Sequence, residues 1–191
     1  MPAVLCENRT KAALDQALRQ LLSVKPLDQI RVREVTELCA IRRQSFYYHF
    51  PDIYALFDWS LSQDQAALLA RQERCLTWQQ AMADLLDHTA ESRPYYRALL
   101  RHRGRSGLRA LLGPVLDRSL VPTLDYYLRR CGGTPAESAD LDTWRSLLLT
   151  LLESWLWDGS RDTQRTLDAL DSMIRRGSLG AAWQNLPVQP H

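Results

Sequence analysis

The sequence predicts an all-α protein, and two observations support that fold class. Apolar residues recur three and four positions apart along most of the chain, which is the period of an amphipathic helix. No segment alternates apolar with polar residues as a half-buried strand does, and no Asn-Gly hairpin signal is present. The helix signals fall into two groups. We expect an N-terminal three-helix domain with a helix-turn-helix in residues 1–51 and a larger helical domain in residues 52–191.

Composition limits the class of protein. The 191 residues are 46% hydrophobic and 24% charged, which suffices for one or two packed domains. The net charge is only +2, but residues 1–50 hold eight Lys and Arg against five Asp and Glu, so we expect any DNA contact at that end. The four cysteines lack metal-binding spacing, so we expect reduced thiols in the cytoplasm and no metal or other cofactor. The longest apolar run, 147–157, falls short of the ~20 residues that span a membrane.

The N-terminal region predicts one supporting helix before the helix-turn-helix. Asn8 or Thr10 can cap this helix, and Pro26 ends it. Its inward stripe comprises Leu14, Ala17, Leu18 and Leu21.

The stretch 30–50 predicts two short helices joined by a tight turn. The first helix covers about 33–39, and the second begins near Arg42. The turn falls at Ala40 and Ile41, and the inward positions at helical spacing are Val35, Leu38, Phe46 and Phe50. The second helix then presents an outward surface that suits DNA base edges and phosphates: Arg43, Gln44, Ser45 and Tyr47.

The segment LDQIRVREVTELCAIRRQSFYYHFPDIYAL resembles the DNA-binding region of the tetracycline-repressor (TetR) family of bacterial transcription regulators. That family's pattern is a helix-turn-helix ending in threonine or serine, then Phe-Tyr-Tyr-His-Phe and a fourth helix. The resemblance covers roughly residues 8–60. The run FYYHFPDIYALFDW and the later YYRALL are similar to the branch that includes the regulator of dihydroxyacetone kinase genes.

The resemblance implies a homodimeric repressor that binds a palindromic operator in the major groove and is released by a small-molecule effector. Arg43 is the first candidate for a base contact, because its guanidinium can pair with guanine O6 and N7, and Gln44 can serve adenine. By resemblance, Arg33 matches a groove-contacting position, while Tyr47 and His49 match phosphate contacts. The expected DNA-binding residues are Arg31, Arg33, Arg42, Arg43, Gln44, Ser45, Tyr47 and His49.

Each of these residues has a structural alternative. The arginines at 33, 42 and 43 also suit a solvated helix face, and His49 suits a hydrogen-bonded helix end. Tyr48 is predicted to pack against the first and fourth helices rather than to face DNA.

The chain also departs from the family pattern. Arg31 and Arg42 stand where a capping Thr or Ser is usual. Ala40 replaces a common turn glycine, and Ile53 occupies a frequent phosphate-binding lysine position. The family therefore does not predict the operator sequence or the salt dependence of DNA binding.

Further helices are predicted in the middle of the chain. Asp52 caps a fourth helix that runs towards Glu73, and Thr77 precedes a fifth. A shorter helix beginning near Pro94 is expected to end at 104–107, and the prolines at 114 and 122 divide the segment after it. An arginine run without an intervening acid could hold an anionic effector or an acidic partner, but we expect a solvated loop there: Arg93, Arg97, Arg101, Arg103, Arg105 and Arg109.

The C-terminal region predicts a helix hairpin. A capping box at 134–137 starts a long helix, and a second helix follows Asp158 and ends at Gly177. Two such hairpins across a two-fold axis would form a four-helix bundle, so we expect a homodimer. The alternative is that the chain's own middle helices cover the second apolar face. The expected dimerisation residues are Trp144, Leu148, Leu151, Leu152, Trp155, Leu167, Leu170 and Ile174.

No residue can be assigned to an effector from the sequence. Apolar and aromatic residues of the middle helices are predicted as core rather than pocket lining: Trp78, Met82, Leu85, Leu86, Tyr95, Tyr96, Tyr126 and Tyr127.

The sequence does not favour an enzyme. It contains no Gly-rich phosphate loop, no HExxH or GxSxG motif and no nucleophile beside a plausible base. The alternative to a DNA-binding repressor is a helical interaction protein that acts as a co-activator or co-regulator and needs a partner protein.

Overall fold

The structure is a computed structural model that describes residues 2–130, 138–157, 164–169 and 171–172. Every regular element within these ranges is a helix, which confirms the predicted fold class. Their buried apolar side chains form one continuous core from the first helix to Leu167. No helix in these ranges combines the length and apolar character needed to cross a bilayer.

Three α-helices and one short 3₁₀ helix form the N-terminal part. They are α1 (Pro2–Leu22), the 3₁₀ helix (Leu27–Gln29), α2 (Val32–Leu38) and α3 (Arg43–His49). The expected start of α1 at Asn8 or Thr10 is wrong, because the helix already includes both residues. It starts at Pro2, and proline suits a first helical position, where its missing N–H has no helical partner. We call α1–α3 the head.

Two capped helices follow the head. They are α4 (Ile53–Gln72) and α5 (Trp78–Glu91). Asp52 Oδ1 accepts a hydrogen bond from the Ala55 N–H at 2.8 Å, and Thr77 Oγ1 accepts one from the Gln80 N–H at 3.2 Å. Each bond satisfies an otherwise unpaired N–H at a helix start. The predicted Asp52 cap is confirmed, and α5 begins directly after Thr77, as predicted.

The sixth helix, α6 (Arg93–Arg130), consists of two helical segments that meet at Gly104, which agrees with the helix end predicted at 104–107. Gly104 has φ +62° and ψ −163°, so the chain kinks there and resumes as a helix. Pro114 and Pro122 lie inside this helix, although the sequence predicts breaks at both. A proline removes one helical hydrogen bond, but burial of the surrounding apolar face favours continuation. That face comprises Leu108, Leu111, Leu112, Val115 and Leu116.

The seventh helix, α7 (Ser138–Trp157), packs against α6 and α5. Residues 164–169 and 171–172 are also helical. The capping box at 134–137, the Gly177 helix end and the dimerisation residues Leu170 and Ile174 lie outside the described residues. We call α5–α7 the body, and α4 joins it to the head. The division of the chain at residues 51 and 52 stays a prediction.

The arginine run of α6 is not a solvated loop. Arg97 Nε donates to the Leu156 carbonyl at 2.8 Å and Arg97 Nη2 to the Trp157 carbonyl at 3.1 Å, which caps the end of α7. Arg105 Nε lies 2.6 Å from Glu153 Oε2. Further pairs are Arg109 with Asp142 and Arg103 with Asp58. These partners lie 33 to 60 residues away in the sequence, so only the fold brings them to the run.

The dimerisation residues of α7 fall on two faces. Leu148, Leu152 and Trp155 are buried within the protomer, as is Leu167. The chain's own α5 and α6 cover that face, and Leu149 and Leu156 on the adjacent side of α7 are also buried, as the alternative held for the second side. Trp144, Leu147 and Leu151 lie on another edge of α7 and are only partly buried within the described residues. The dimer itself stays a prediction.

Candidate nucleic-acid interface

The start of α2 is held by an acid rather than by a hydroxyl cap. Arg31 stands at the cap position, and a guanidinium has no acceptor for the free N–H groups of the helix. Instead, Glu34 Oε2 accepts from the Arg31 N–H at 2.9 Å, and Lys25 Nζ pairs with Glu34 Oε1. Hydrogen bonds from Lys25 and then from the Arg31 backbone hold the pKa of the Glu34 carboxyl below its usual value. The α1–α2 connection is thereby tied to the helix start.

The inward face of α2 differs in one residue from the prediction. Val35 is fully buried as expected, but Leu38 is 48% exposed. Thr36 is buried, with its Oγ1 donating to the Arg33 carbonyl at 2.9 Å, and Cys39 packs against the core. The inward direction therefore lies between positions 35 and 36, about 100° from Leu38 at 100° per residue.

The turn between α2 and α3 uses a left-handed residue. Ala40 has φ +53°, a conformation that favours glycine, which is the usual family residue here. The Ile41 N–H donates to the Thr36 carbonyl at 3.0 Å and closes the end of α2. The predicted turn is confirmed, and it directs the chain into α3.

Two phenylalanines anchor α3 in the head. Phe46 is fully buried and Phe50 is 5% exposed, with ring centroids 6.1 Å apart. Phe50 also contacts the Trp59 ring of α4 at 5.7 Å. This burial fixes the rotation of α3 about its axis. The opposite side of the helix is consequently presented to solvent.

The outward surface of α3 contains the residues predicted for DNA. Arg43, Gln44 and Tyr47 are exposed, while Ser45 and His49 are half-buried. Arg43 Nη2 donates to Tyr47 Oη at 3.4 Å, and the guanidinium carbon lies 5.9 Å from the Tyr47 ring centroid. This contact between residues four apart aligns both side chains along one face. Arg43 is thereby directed outward from the helix.

Tyr48 is a surface residue that the sequence interpretation misplaced. It is 80% exposed rather than packed between helices, and its ring stacks edge-on against His49 at 5.0 Å. The helical spacing does predict this, because position 48 lies about 200° from the buried Phe46. Tyr48 lines a shallow groove of about 520 Å³ beside α3 together with Thr10, Ala40, Ile41, Arg42, Gln44, Ser45 and His49. We add Tyr48 to the candidate site.

The remaining arginines predicted to contact DNA are exposed. Arg31 and Arg42 are exposed, and Arg33 Nε lies 2.6 Å from Glu37 Oε1. The hydrogen bond with Glu37, followed by its charge, raises the pKa of Arg33. Such exposed pairs are weak in water, so the pair with Glu37 does not prevent Arg33 from contacting a DNA groove. Ile53 is buried, so it contributes to the core and leaves the lysine position of the family without a phosphate contact.

Comparison with known proteins identifies one sequence relative. No protein-family model matches the chain. The HTH-type dhaKLM operon transcriptional activator DhaS of Lactococcus lactis subsp. lactis is 27% identical over 90 residues. That match includes 47% of this chain, and the chain spans about half, 48%, of the relative's length.

Solved structures match nearly the whole chain. The dihydroxyacetone kinase operon activator DhaS has a TM-score of 0.65 at 17% identity, covering 92% of this chain and 97% of that one. RolR without ligand has a TM-score of 0.58 at 19% identity, with 94% and 100% coverage. The TetR family repressor AlkX of Dietzia sp., implicated in n-alkane biodegradation, has a TM-score of 0.52 at 15% identity, with 88% and 97% coverage.

These matches agree with two predictions. DhaS and AlkX are by name regulators of transcription, in agreement with the expectation that the chain is not an enzyme. The identities to the solved structures are low, so the likeness concerns the path of the chain rather than individual side chains. The chain has the fold of the TetR-family regulators, and its predicted resemblance to that family is confirmed in the fold.

Proposed function

We propose that this chain is a transcriptional regulator of TetR type that inserts α3 into the major groove of double-stranded DNA. The observation that carries the proposal is the surface of α3, where Arg43, Gln44 and Tyr47 are exposed while Phe46 and Phe50 are buried. The preceding α2 and the left-handed turn give this surface the helix-turn-helix setting. Residues 1–51 form the DNA-binding domain in this proposal, and residues 52–191 form the regulatory domain.

A homodimer on a palindromic operator follows from the small size of α3. Seven residues offer few base contacts, each bidentate pair contributing ~1–3 kcal/mol of discrimination. Two heads on successive major-groove faces add these contributions and make the half-site spacing part of recognition. The edge of α7 with Trp144, Leu147 and Leu151, only partly buried within the described residues, supports the dimer contact, because partly exposed apolar edges favour burial between subunits.

Repression in the cytoplasm, released by a small-molecule effector, is the finer part of the proposal. A cavity of about 510 Å³ between the α4–α5 connection and α6 supports an effector, since its volume falls in the range of small-molecule sites. It is lined in part by Gln72, Thr77, Trp78, Arg118, Thr123 and Tyr126. Most of the other aromatic and apolar candidates for a pocket are fully buried core, as predicted: Met82, Leu85, Leu86, Tyr95 and Tyr96.

The function is tested by selecting bound DNA from a random pool with the purified full chain, repeated at several salt concentrations. Enrichment of a site with two-fold symmetry is the expected result. Binding that falls steeply with salt and enriches no sequence would contradict the proposal, because phosphate contacts alone give that behaviour. Such a result would favour the alternative of a co-regulator that needs a partner protein.

Arg43→Ala tests which residue reads bases. If Arg43 pairs with guanine, the variant loses discrimination at one base pair of each half-site, by ~1–3 kcal/mol. Arg74→Ala removes an exposed positive charge from the α4–α5 connection, outside the head, and serves as the control for net charge. Both variants are titrated against the selected operator and against single-base changes of it. Equal weakening of Arg43→Ala on every sequence would make Arg43 a phosphate contact instead.

A further inference from the structure

Asp64 is a buried carboxylate at the junction of four helices. It lies in α4, is 4% exposed and accepts hydrogen bonds from three other elements. Tyr96 Oη of α6 donates at 2.5 Å, His88 Nε2 of α5 lies at 3.1 Å, and Arg19 Nη2 of α1 donates at 3.3 Å. A buried charge is costly unless it is paired and hydrogen-bonded. Head, linking helix and body are therefore connected through one side chain.

Arg19 is the head's contribution to this cluster. Its Nη2 also donates to Ser60 Oγ of α4 at 3.2 Å, and its Nε donates to Asp15 at 3.0 Å. The guanidinium carbon lies 4.0 Å from the centroid of the Tyr95 ring, whose hydroxyl is 2.9 Å from Ser60 Oγ. A planar guanidinium held from three helices in this way has a single position that satisfies its partners. The geometry fixes where α1 lies against α4 and α6.

Both charges of this cluster persist at neutral pH. Burial alone would raise the pKa of the Asp64 carboxyl, but hydrogen bonds from His88 and Tyr96 and the charge of Arg19 hold that pKa below its usual value. Burial likewise opposes the charge of Arg19, but Tyr95, Asp15 and Asp64 together raise its pKa. The connection is consequently ionic as well as hydrogen-bonded.

We propose that Arg19 and Asp64 are positioning residues that set the orientation of the head on the body. Apolar contacts between helices are not directional, so they permit small rotations, whereas these hydrogen bonds require defined donor and acceptor positions. Without these hydrogen bonds, the head keeps its own fold, but its angle relative to the body varies. The consequence for DNA recognition rests on the proposed function. If both heads of a dimer have fixed angles, the dimer binds only operators with one half-site spacing.

The first test measures head orientation without DNA. Spin labels are placed at Asp28→Cys on the head and Asp87→Cys on the body, both exposed positions, after the natural cysteines are replaced by alanine. Pulsed electron spin resonance then gives the distance distribution within one protomer, with unlabelled chain in excess. Arg19→Met is expected to broaden or shift this distribution. Arg71→Met is the matched control, because it also removes an arginine–aspartate pair between two helices. Arg71 Nε of α4 donates to Asp84 Oδ2 of α5 at 2.8 Å.

The inference is overturned if Arg19→Met gives the distribution of the parent, or if Arg71→Met broadens it equally. Circular dichroism establishes that each sample is folded. If Arg19→Met does not fold, Arg19→Lys decides instead, since a single ammonium cannot reproduce the forked contacts with Asp15, Ser60 and Asp64. A distance distribution for Arg19→Lys that equals that of the parent would then overturn the inference.

The second test measures half-site spacing on the selected operator. Duplexes with one or two base pairs added or removed between half-sites should bind the parent at least tenfold more weakly. Arg19→Met should reduce that ratio severalfold while leaving the base preferences of each half-site unchanged. If Arg19→Met only destabilised the fold, it would lower the affinity for every half-site spacing by the same factor. If the parent selects no site, the proposed function fails, while the distance measurement still decides the inference about head orientation.

Discussion

Gly104 offers a direct thermodynamic test of the kink in α6. Its φ of +62° and ψ of −163° lie in a region that is open essentially only to glycine, and a Cβ built there meets no atom within 4 Å. The cost of Gly104→Ala is therefore entirely in the backbone, about 1–3 kcal/mol. Alanine also restricts the unfolded chain, which returns about 0.4–1 kcal/mol. We expect a net loss of roughly 1–2 kcal/mol in unfolding free energy, or about 2–8 °C in Tm for a chain of this size.

Gly113 in the same helix provides the matched control. Its backbone is helical, and an added Cβ would lie 3.6 Å from Arg145 Cδ, an ordinary van der Waals distance. Gly113→Ala should change the free energy of unfolding by less than about 1 kcal/mol, because the gain in helix propensity is opposed by the contact of the new Cβ with the following Pro114. Urea unfolding of both variants, followed by circular dichroism, measures the two changes, and Gly104→Ala should be the more destabilising. If Gly104→Ala is as stable as the parent or more stable, α6 has no left-handed residue at this position.

Two further predictions concern α4. Asp52→Ala should lower the unfolding free energy by ~1 kcal/mol in urea titrations, because the Ala55 N–H loses its acceptor. Asp52→Asn should keep most of the stabilisation, because its side-chain oxygen can still accept this hydrogen bond. Equal losses for the two variants would refute the cap. The pKa of Asp64 is lowered in the folded chain, so its stabilising contribution is present above the unfolded value near pH 4 and is lost as the pH falls through the folded value. Urea titrations between pH 6 and 3 should thus show a smaller acid-induced loss for Asp64→Asn than for the parent, and equal losses would contradict the pairing.

Local signals predicted the elements that local interactions determine. Asp52 and Thr77 mark the starts of α4 and α5, because each hydroxyl or carboxylate accepts from an N–H only three residues ahead. The continuation of α6 could not be predicted in this way. Gly104 does mark a kink, but the helix resumes beyond it and continues through Pro114. The arginines on both sides of Gly104 pair with acids of α4 and α7. Such long-range pairs are invisible until the fold is known.

The candidate site shows a similar division. The spacing of Phe46 and Phe50 predicted which side of α3 is buried, and hence that Gln44, about 120–160° from them, is exposed. The same spacing places Tyr48 on the outside, but its expected packing against neighbouring helices overrode the periodicity and was wrong. For a helix of two turns, the angle from a buried anchor is therefore more informative than the apolar character of a side chain.

The head cannot be treated as a unit independent of α4. Both α2 and α3 have only seven residues, and neither begins with a side-chain hydrogen bond from its cap residue. Isolated helices of that length are marginal in water, so their stability must come from packing. Phe50 ends α3 against Trp59 of α4, and Arg19 of α1 reaches Asp64 further along the same helix. The apolar contact supports the position of the recognition helix, and the polar contact supports its angle. Under the proposed function, changes in α4 should therefore alter DNA binding even when no DNA-contacting residue is altered.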